Sequence, residues 1–206
     1  SLNSSIDGVI SNLRNAVHKQ MVSDVPLGAF LSGGLDSSAV VAFAKEVNPK
    51  IECFTIANNY ENKEGFNDDL PYAKRVSKYC DVPLNIIDVD SKMLTDNIEN
   101  MIYQLDEPLA DPAALNVSFI CNIAKEKNIK VLLSGAGGDD IFSGYRRHIA
   151  LKYESWWKWL PLSFKKTIET SSKRLDQRIS FYRRLRKLFN GASLDGDQKI
   201  INYFKW

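Results

Sequence analysis

The stretch Phe30-Leu31-Ser32-Gly33-Gly34-Leu35-Asp36-Ser37-Ser38 constrains this chain more than any other. Two adjacent glycines separate a short apolar run, Leu27 to Leu31, from a segment with helical patterning. Glycine allows dihedrals and close approaches that side chains forbid. A strand, a glycine turn and a helix in that order therefore read as a place where successive backbone N–H groups face an anion, here a pyrophosphate. Ser32, Ser37 and Ser38 add hydroxyl donors, and a helix beginning near Ser37 would aim the positive end of its dipole at the same point. A P-loop is excluded, because that motif ends in Gly-Lys-Ser/Thr and no lysine follows these glycines. Asp36 would repel a phosphate unless a Mg²⁺ lay between them, since hard cations take oxygen ligands; Asp139 is the candidate for a second carboxylate.

The rest of the chain can be placed around that turn. Ile6, Val9, Ile10, Leu13, Ala16, Val17 and Met21 recur with helical spacing and predict a helix over 4–22, ended by Pro26. Leu27 to Leu31 read as a buried parallel strand, and Ser37-Ser38 as cap-type residues before a helix that is apolar nearly all round. Strands are expected over 52–56, 85–89 and 130–134, and helices over 70–80, 94–105 and 113–127. A polar loop over 58–69 is long enough to suggest a function. The fourth strand runs into a second glycine turn, Gly135-Ala136-Gly137-Gly138-Asp139-Asp140. Alternating strands and helices argue for an open, mostly parallel α/β sheet with helices on both faces, followed by a helical C-terminal segment. Ligands of such sheets bind beyond the C-terminal strand ends, where both glycine turns fall.

Composition narrows the function classes. The 206 residues suffice for one domain with an appended element, and no run approaches the roughly 20 apolar residues of a membrane span. The start of the sequence has no basic segment followed by an apolar core, so a cytoplasmic location is expected. Cys53, Cys80 and Cys121 are far apart and read as reduced core thiols, and with only His18 and His148 a zinc site or a Ser-His-Asp triad is disfavoured. Residues 1–150 carry 14 Lys+Arg against 20 Asp+Glu, a net of −6, whereas 151–206 carry 13 against 5, a net of +8. Accordingly 1–150 are assigned to an α/β domain and 151–206 to a helical, basic, aromatic-rich and truncated extension of it. Its aromatic clusters at Trp156, Trp157, Trp159, Phe181 and Tyr182 read as core or interface more readily than as a base-stacking platform, so nucleic acid is a disfavoured partner. The aromatic end, Ile200 to Trp206, suggests a surface that further chain would cover.

Ser32-Gly33-Gly34-Leu35-Asp36-Ser37-Ser38 resembles the pyrophosphate loop of the ATP pyrophosphatases (PP-loop superfamily). More narrowly, Val25-Pro26-Leu27-Gly28-Ala29-Phe30, Asp69-Leu70-Pro71-Tyr72-Ala73, Asp106-Glu107-Pro108-Leu109-Ala110-Asp111-Pro112 and Leu133-Ser134-Gly135 through Asp139, Phe142, Gly144 and Tyr145 resemble the synthetase domain of glutamine-dependent asparagine synthetases. The motifs span residues 23–147 in the family's order. The resemblance implies an adenine nucleotide alpha hydrolase-like fold and an amide-forming ligase. A substrate carboxylate, aspartate in the namesake enzymes, attacks the α-phosphorus of ATP; pyrophosphate leaves, and ammonia attacks the acyl-adenylate.

By the same resemblance, Ser32, Gly33, Gly34, Asp36, Ser37 and Ser38 hold pyrophosphate, and Asp36 with Asp139 holds Mg²⁺. Leu31, Ile56, Ser134 and Gly135 stand at the strand ends that hold adenosine. Three departures qualify it. Ala136 stands where the family usually has a glutamate implicated in amide formation, which leaves the acceptor open. No glutaminase domain with its N-terminal cysteine accompanies the chain, so one is expected in the full-length protein. The family's essential lysine aligns past Trp206, so this piece alone is expected to bind nucleotide without completing the reaction. A non-catalytic nucleotide-binding domain and a PP-loop enzyme modifying nucleic acid remain as alternatives, and the assembly, a homodimer included, is open.

Overall fold

The structure is a computed structural model. It describes residues 2–58, 69–107, 109, 111, 113–142, 144, 145, 148, 156, 159–176 and 178–204. The expected loop over 58–69 and Trp157 thus lie largely or wholly outside the described residues. The chain divides into two compact units, Ser1–Gly137 and Gly138–Trp206.

The first unit is built on four strands: β1 (Leu27–Phe30), β2 (Glu52–Asn58), β3 (Leu84–Val89) and β4 (Val131–Leu133). They lie in the order β3-β2-β1-β4, and every pairing is parallel. Five helices connect and cover them: α1 (Leu2–Gln20), α2 (Leu35–Val47), α3 (Leu70–Cys80), α4 (Ser91–Gln104) and α5 (Ala113–Glu126). On one face Val17 of α1 and Met21 just after it, Val40, Val41 and Ala44 of α2, and Ala73 and Cys80 of α3 pack on Ala29, Leu31 and Cys53. On the other, Met101 of α4 and Leu115, Phe119, Ile120 and Ala124 of α5 pack on Phe54, Ile87 and Val89. The expected α/β sheet with helices on both faces is therefore present. Right-handed crossovers account for it: β1 to β3 advance one way with α2 and α3 on one face, and the return to β4 on the far side of β1 puts α4 and α5 on the other.

Several boundaries depart from the sequence reading. The helix after the glycine turn starts at Leu35, not near Ser37, with Gly34 as its N-cap. Helix α4 starts at Ser91, three residues before the first apolar repeat, because the Asp90 carboxylate accepts the Met93 N–H at 2.6 Å. Cys53 and Cys80 are buried but Cys121, on α5, is exposed, so the reading of three core thiols fails for one of them. A helix needs only one apolar stripe, and Cys121 stands off the stripe of α5.

In the second unit the described helices are α6 (Gly138–Ile141), α7 (Leu162–Lys173), α8 (Ser180–Phe189) and α9 (Gly196–Phe204). Its best-defined tie is Glu169 of α7, whose carboxylate accepts both the hydroxyl (2.7 Å) and the N–H (3.3 Å) of Ser193 and pairs with Lys173 at 3.0 Å. Trp156, Trp159 and Phe181 are exposed, so these aromatics do not form the core of the unit.

Candidate functional site

Strand β1 is the point where the order of the sheet reverses: β2 lies on one side of it and β4, which comes last, on the other. At such a switch point the loops leaving the two neighbouring strands part and open a crevice beyond their C-terminal ends. The register pairs Ala29 with Leu133, so the turn after β1 and the turn after β4 leave the sheet side by side.

The first turn is fixed by its own hydroxyls. Ser32 Oγ accepts the Gly34 N–H at 3.3 Å and lies 2.9 Å from Ser37 Oγ. Ser37 Oγ donates to the Gly34 carbonyl at 3.2 Å, and Ser38 Oγ donates to the same carbonyl at 2.6 Å. A hydroxyl in the first turn of a helix can bond the carbonyl three or four residues back, which is why Ser37 and Ser38 do not act as the caps their residue type suggested. Among the described residues, no side chain caps α2. Its first N–H groups, which have no partner within a helix, therefore converge at the turn together with the positive end of the helix dipole. Ser32, Gly34 and Leu35 are exposed there, while Ser37 is buried at 7% exposure.

Two close contacts grip this turn. Gly33 has φ +81, and a Cβ on it would lie 2.5 Å from the Tyr72 carbonyl carbon and 2.6 Å from Tyr72 Cβ, and would overlap the Ala73 nitrogen. A Cβ on Gly135 would lie 2.6 Å from the Ser37 nitrogen and 2.8 Å from the Asp36 carbonyl carbon. Glycine at both positions lets α3 on one side, and the turn after β4 on the other, meet the turn after β1 backbone to backbone. The Asp69–Ala73 motif was visible in the sequence, but its contact with Gly33, forty residues away, was not.

The expected adenosine positions separate by role. The Leu31 side chain is 1% exposed and belongs to the core under α1–α3, and its N–H donates to the Phe54 carbonyl at 2.9 Å. Ile56 packs on the opposite face, against the α4–α5 cluster. Ser134 is exposed, and its Oγ accepts the Ala136 N–H at 3.1 Å, which stiffens the second turn. The structure thus brings Ser32 to Ser38 and Gly135 into one locus. Asp139 belongs to the second unit, in the first turn of α6, where Gly144 leaves room for its carboxylate: a Cβ on Gly144 would overlap Asp139 Oδ1 and stand 2.7 Å from Cγ. Asp111, from the Asp106–Pro112 motif, caps α5 by accepting the Ala113 N–H at 2.9 Å.

The model of the asparagine synthase family matches residues 8–200 of this sequence. The chain belongs to the asparagine synthase family. Asparagine synthetase [glutamine-hydrolyzing] 1 of Bacillus subtilis is 36% identical over 154 residues, which is 71% of this chain and 23% of that protein. Asparagine synthetase [glutamine-hydrolyzing] 3 of the same organism is 32% identical over 171 residues, 76% of this chain and 28% of that protein. The chain thus spans about a quarter of the length of these asparagine synthase family relatives. Among solved structures, an NH3-dependent NAD synthetase from Campylobacter jejuni superposes with a TM-score of 0.43 and 14% identity, covering 93% of this chain and 97% of its own. That likeness is too low to argue from.

Proposed function

We propose that this chain is the nucleotide-binding part of an ATP-dependent amide-forming ligase, in which a substrate carboxylate is adenylated with loss of pyrophosphate before attack by ammonia. The observation that carries the proposal is the uncapped first turn of α2, opening at the sheet's switch point in a chain of the asparagine synthase family. In this reading the N–H groups of the turn and the hydroxyls of Ser32, Ser37 and Ser38 hold the β- and γ-phosphates. Gly33 and Gly34 permit the approach, and the backbone around Leu31, Ile56, Ser134 and Gly135 borders the adenosine. The loop hydroxyls, bonded to one another and to Gly34, exchange those partners for phosphate oxygens, so the turn is already shaped when the nucleotide arrives.

The donor set suits Mg²⁺. No group of three or more His, Cys, Asp or Glu side chains able to hold a metal comes together among the described residues. Mg²⁺ is commonly held by one or two carboxylates plus substrate phosphates and water; Asp36, in the first turn of α2, would supply one, and the family resemblance assigns a second to Asp139. When bound, the ion neutralises charge developing on the pyrophosphate leaving group. The chain's own contribution is positioning: the carboxylate attacks the α-phosphorus, the bond to the bridging oxygen breaks, and its electron pair leaves on pyrophosphate. Ammonia from glutamine, released by a glutaminase domain of the full-length protein, then yields the amide and AMP.

Ala136 leaves the acceptor open between aspartate and a related acid, because the acidic side chain usual at this position of the family is missing. The test has two arms. Calorimetry should show Mg²⁺-dependent ATP binding that Asp36→Ala abolishes; unchanged affinity in that variant overturns the site. The full-length protein should release pyrophosphate with one member of a panel of carboxylates, given glutamine or ammonia. No release with any acceptor would favour a non-catalytic nucleotide-binding role.

A further inference from the structure

We infer that the first turn of α3 sets the shape of the phosphate turn, and that Tyr72 is a positioning residue acting through Gly33. The inference rests on the phosphate-binding reading of that turn and goes beyond it by naming what holds the turn in place. From the solvent side the turn has little support, since Ser32, Gly34 and Leu35 are exposed. Gly33 nevertheless holds φ +81, in the left-handed region, and the first atoms a Cβ on it would meet are the Tyr72–Ala73 peptide and Tyr72 Cβ.

The α3 side of the contact is firm. Ala73 is fully buried, and the Tyr72 and Ala73 N–H groups both donate to the Asp69 carbonyl, at 3.1 and 3.0 Å. Pro71 fixes φ in the same first turn. Tyr72 as a residue, by contrast, is 54% exposed, with the Arg75 guanidinium 5.9 Å from its ring centroid. The ring therefore contributes little to the core, and the part of Tyr72 that meets the phosphate turn is its backbone and Cβ. Gly34 differs: its φ is −67, and the nearest atom to an added Cβ is Ser32 Oγ at 3.4 Å. Of the two adjacent glycines, only Gly33 is locked from behind.

The experiment compares the full-length protein with Tyr72→Gly, which removes the Cβ contact, and Tyr72→Ala, which keeps it. Hydrogen exchange is followed in peptides covering 30–40, and inorganic pyrophosphate is titrated in the presence of Mg²⁺. Tyr72→Gly should speed exchange of the phosphate turn about tenfold while exchange of the β1 and β2 core stays slow, and should weaken pyrophosphate about tenfold; Tyr72→Ala should stay within about twofold in both. Unchanged turn exchange in Tyr72→Gly, or equal damage from Tyr72→Ala, overturns the inference. If the unmodified protein binds no pyrophosphate, the phosphate reading fails, and the exchange comparison still decides whether α3 holds the turn.

Discussion

Gly135 and Ser37 meet so closely that a methyl group on Gly135 would stand 2.6 Å from the Ser37 nitrogen. The turn leaving β4 is thereby pressed against the first turn of α2, and the separation of two loops a hundred residues apart depends on one absent side chain.

Gly135→Ala is accordingly expected to push the two turns apart, with an overpacking cost of about 1–3 kcal/mol. Chemical denaturation measures the loss, and calorimetry should show weaker ATP binding alongside it. Gly34→Ala, at ordinary φ and with room for a Cβ, should cost only about 0.5–1 kcal/mol, the penalty of alanine at an N-cap. Equal destabilisation by the two substitutions would contradict the packing described.

The thiols should separate by accessibility. Burial pushes the Cys53 thiol up to about 12, with Cys80 and Glu52 adding to the effect, and Cys80 is buried as well. Cys121 is exposed, though partial desolvation raises its pKa also. Titration of the native protein with a thiol reagent at mildly alkaline pH should therefore modify Cys121 alone, and slowly, with Cys53 and Cys80 reacting only in denaturant. Modification of Cys53 in the folded state would contradict its burial.

In the second unit, the hydrogen bond from the Ser193 hydroxyl, which outweighs the opposing effect of burial and is helped by Lys173 and the Ser193 N–H, holds Glu169 below its ordinary value of 4.5. A carboxylate with a lowered folded pKa contributes stability above its unfolded pKa, and that contribution fades as pH falls through the folded value. Ser193→Ala should thus cost about 1 kcal/mol at pH 7 and less at pH low enough to protonate Glu169 in either variant. Denaturation of both variants across that range checks the sign. A cost that grew toward acid pH would exclude the assignment.

Asp90→Ala should destabilise the protein by about 1 kcal/mol through loss of the cap on α4. Asp90→Asn should restore most of it, since the cap needs only a side-chain oxygen. A calorimetric melting series on the three proteins would show this order or refute it.

How far the structure could be read from the sequence varies with the range of the interaction. The four strands and their helices were legible because apolar runs such as Val131-Leu132-Leu133 and repeats such as Leu70, Ala73 and Val76 are local signals. The glycine turns were legible as turns for the same reason. The apolar repeat beginning at Leu94 does not mark the start of α4, whose signal is the Asp90 cap before it. The helix after the glycine turn begins before its serines, because their hydroxyls bond back to the Gly34 carbonyl instead of capping the helix. The contacts of Gly33 with Tyr72 and of Gly135 with Ser37 could not be read at all, since they join residues 39 and 98 positions apart and depend on how helices and loops pack on the sheet.

The sheet order also has a consequence for the birth of the protein. Strand β1 pairs with β2 within about 25 residues, but Leu27 must wait for Val131, about 100 residues later, before its other edge is closed. At a synthesis rate of about 5–20 residues per second, that edge stays open for roughly 5–20 s on each nascent chain. During that interval the strand leading into the glycine turn is an unpaired template, available to any other extended segment nearby. Slowing translation between residues 58 and 131 would lengthen the exposure and should lower soluble yield, while a holdase present during synthesis should recover it.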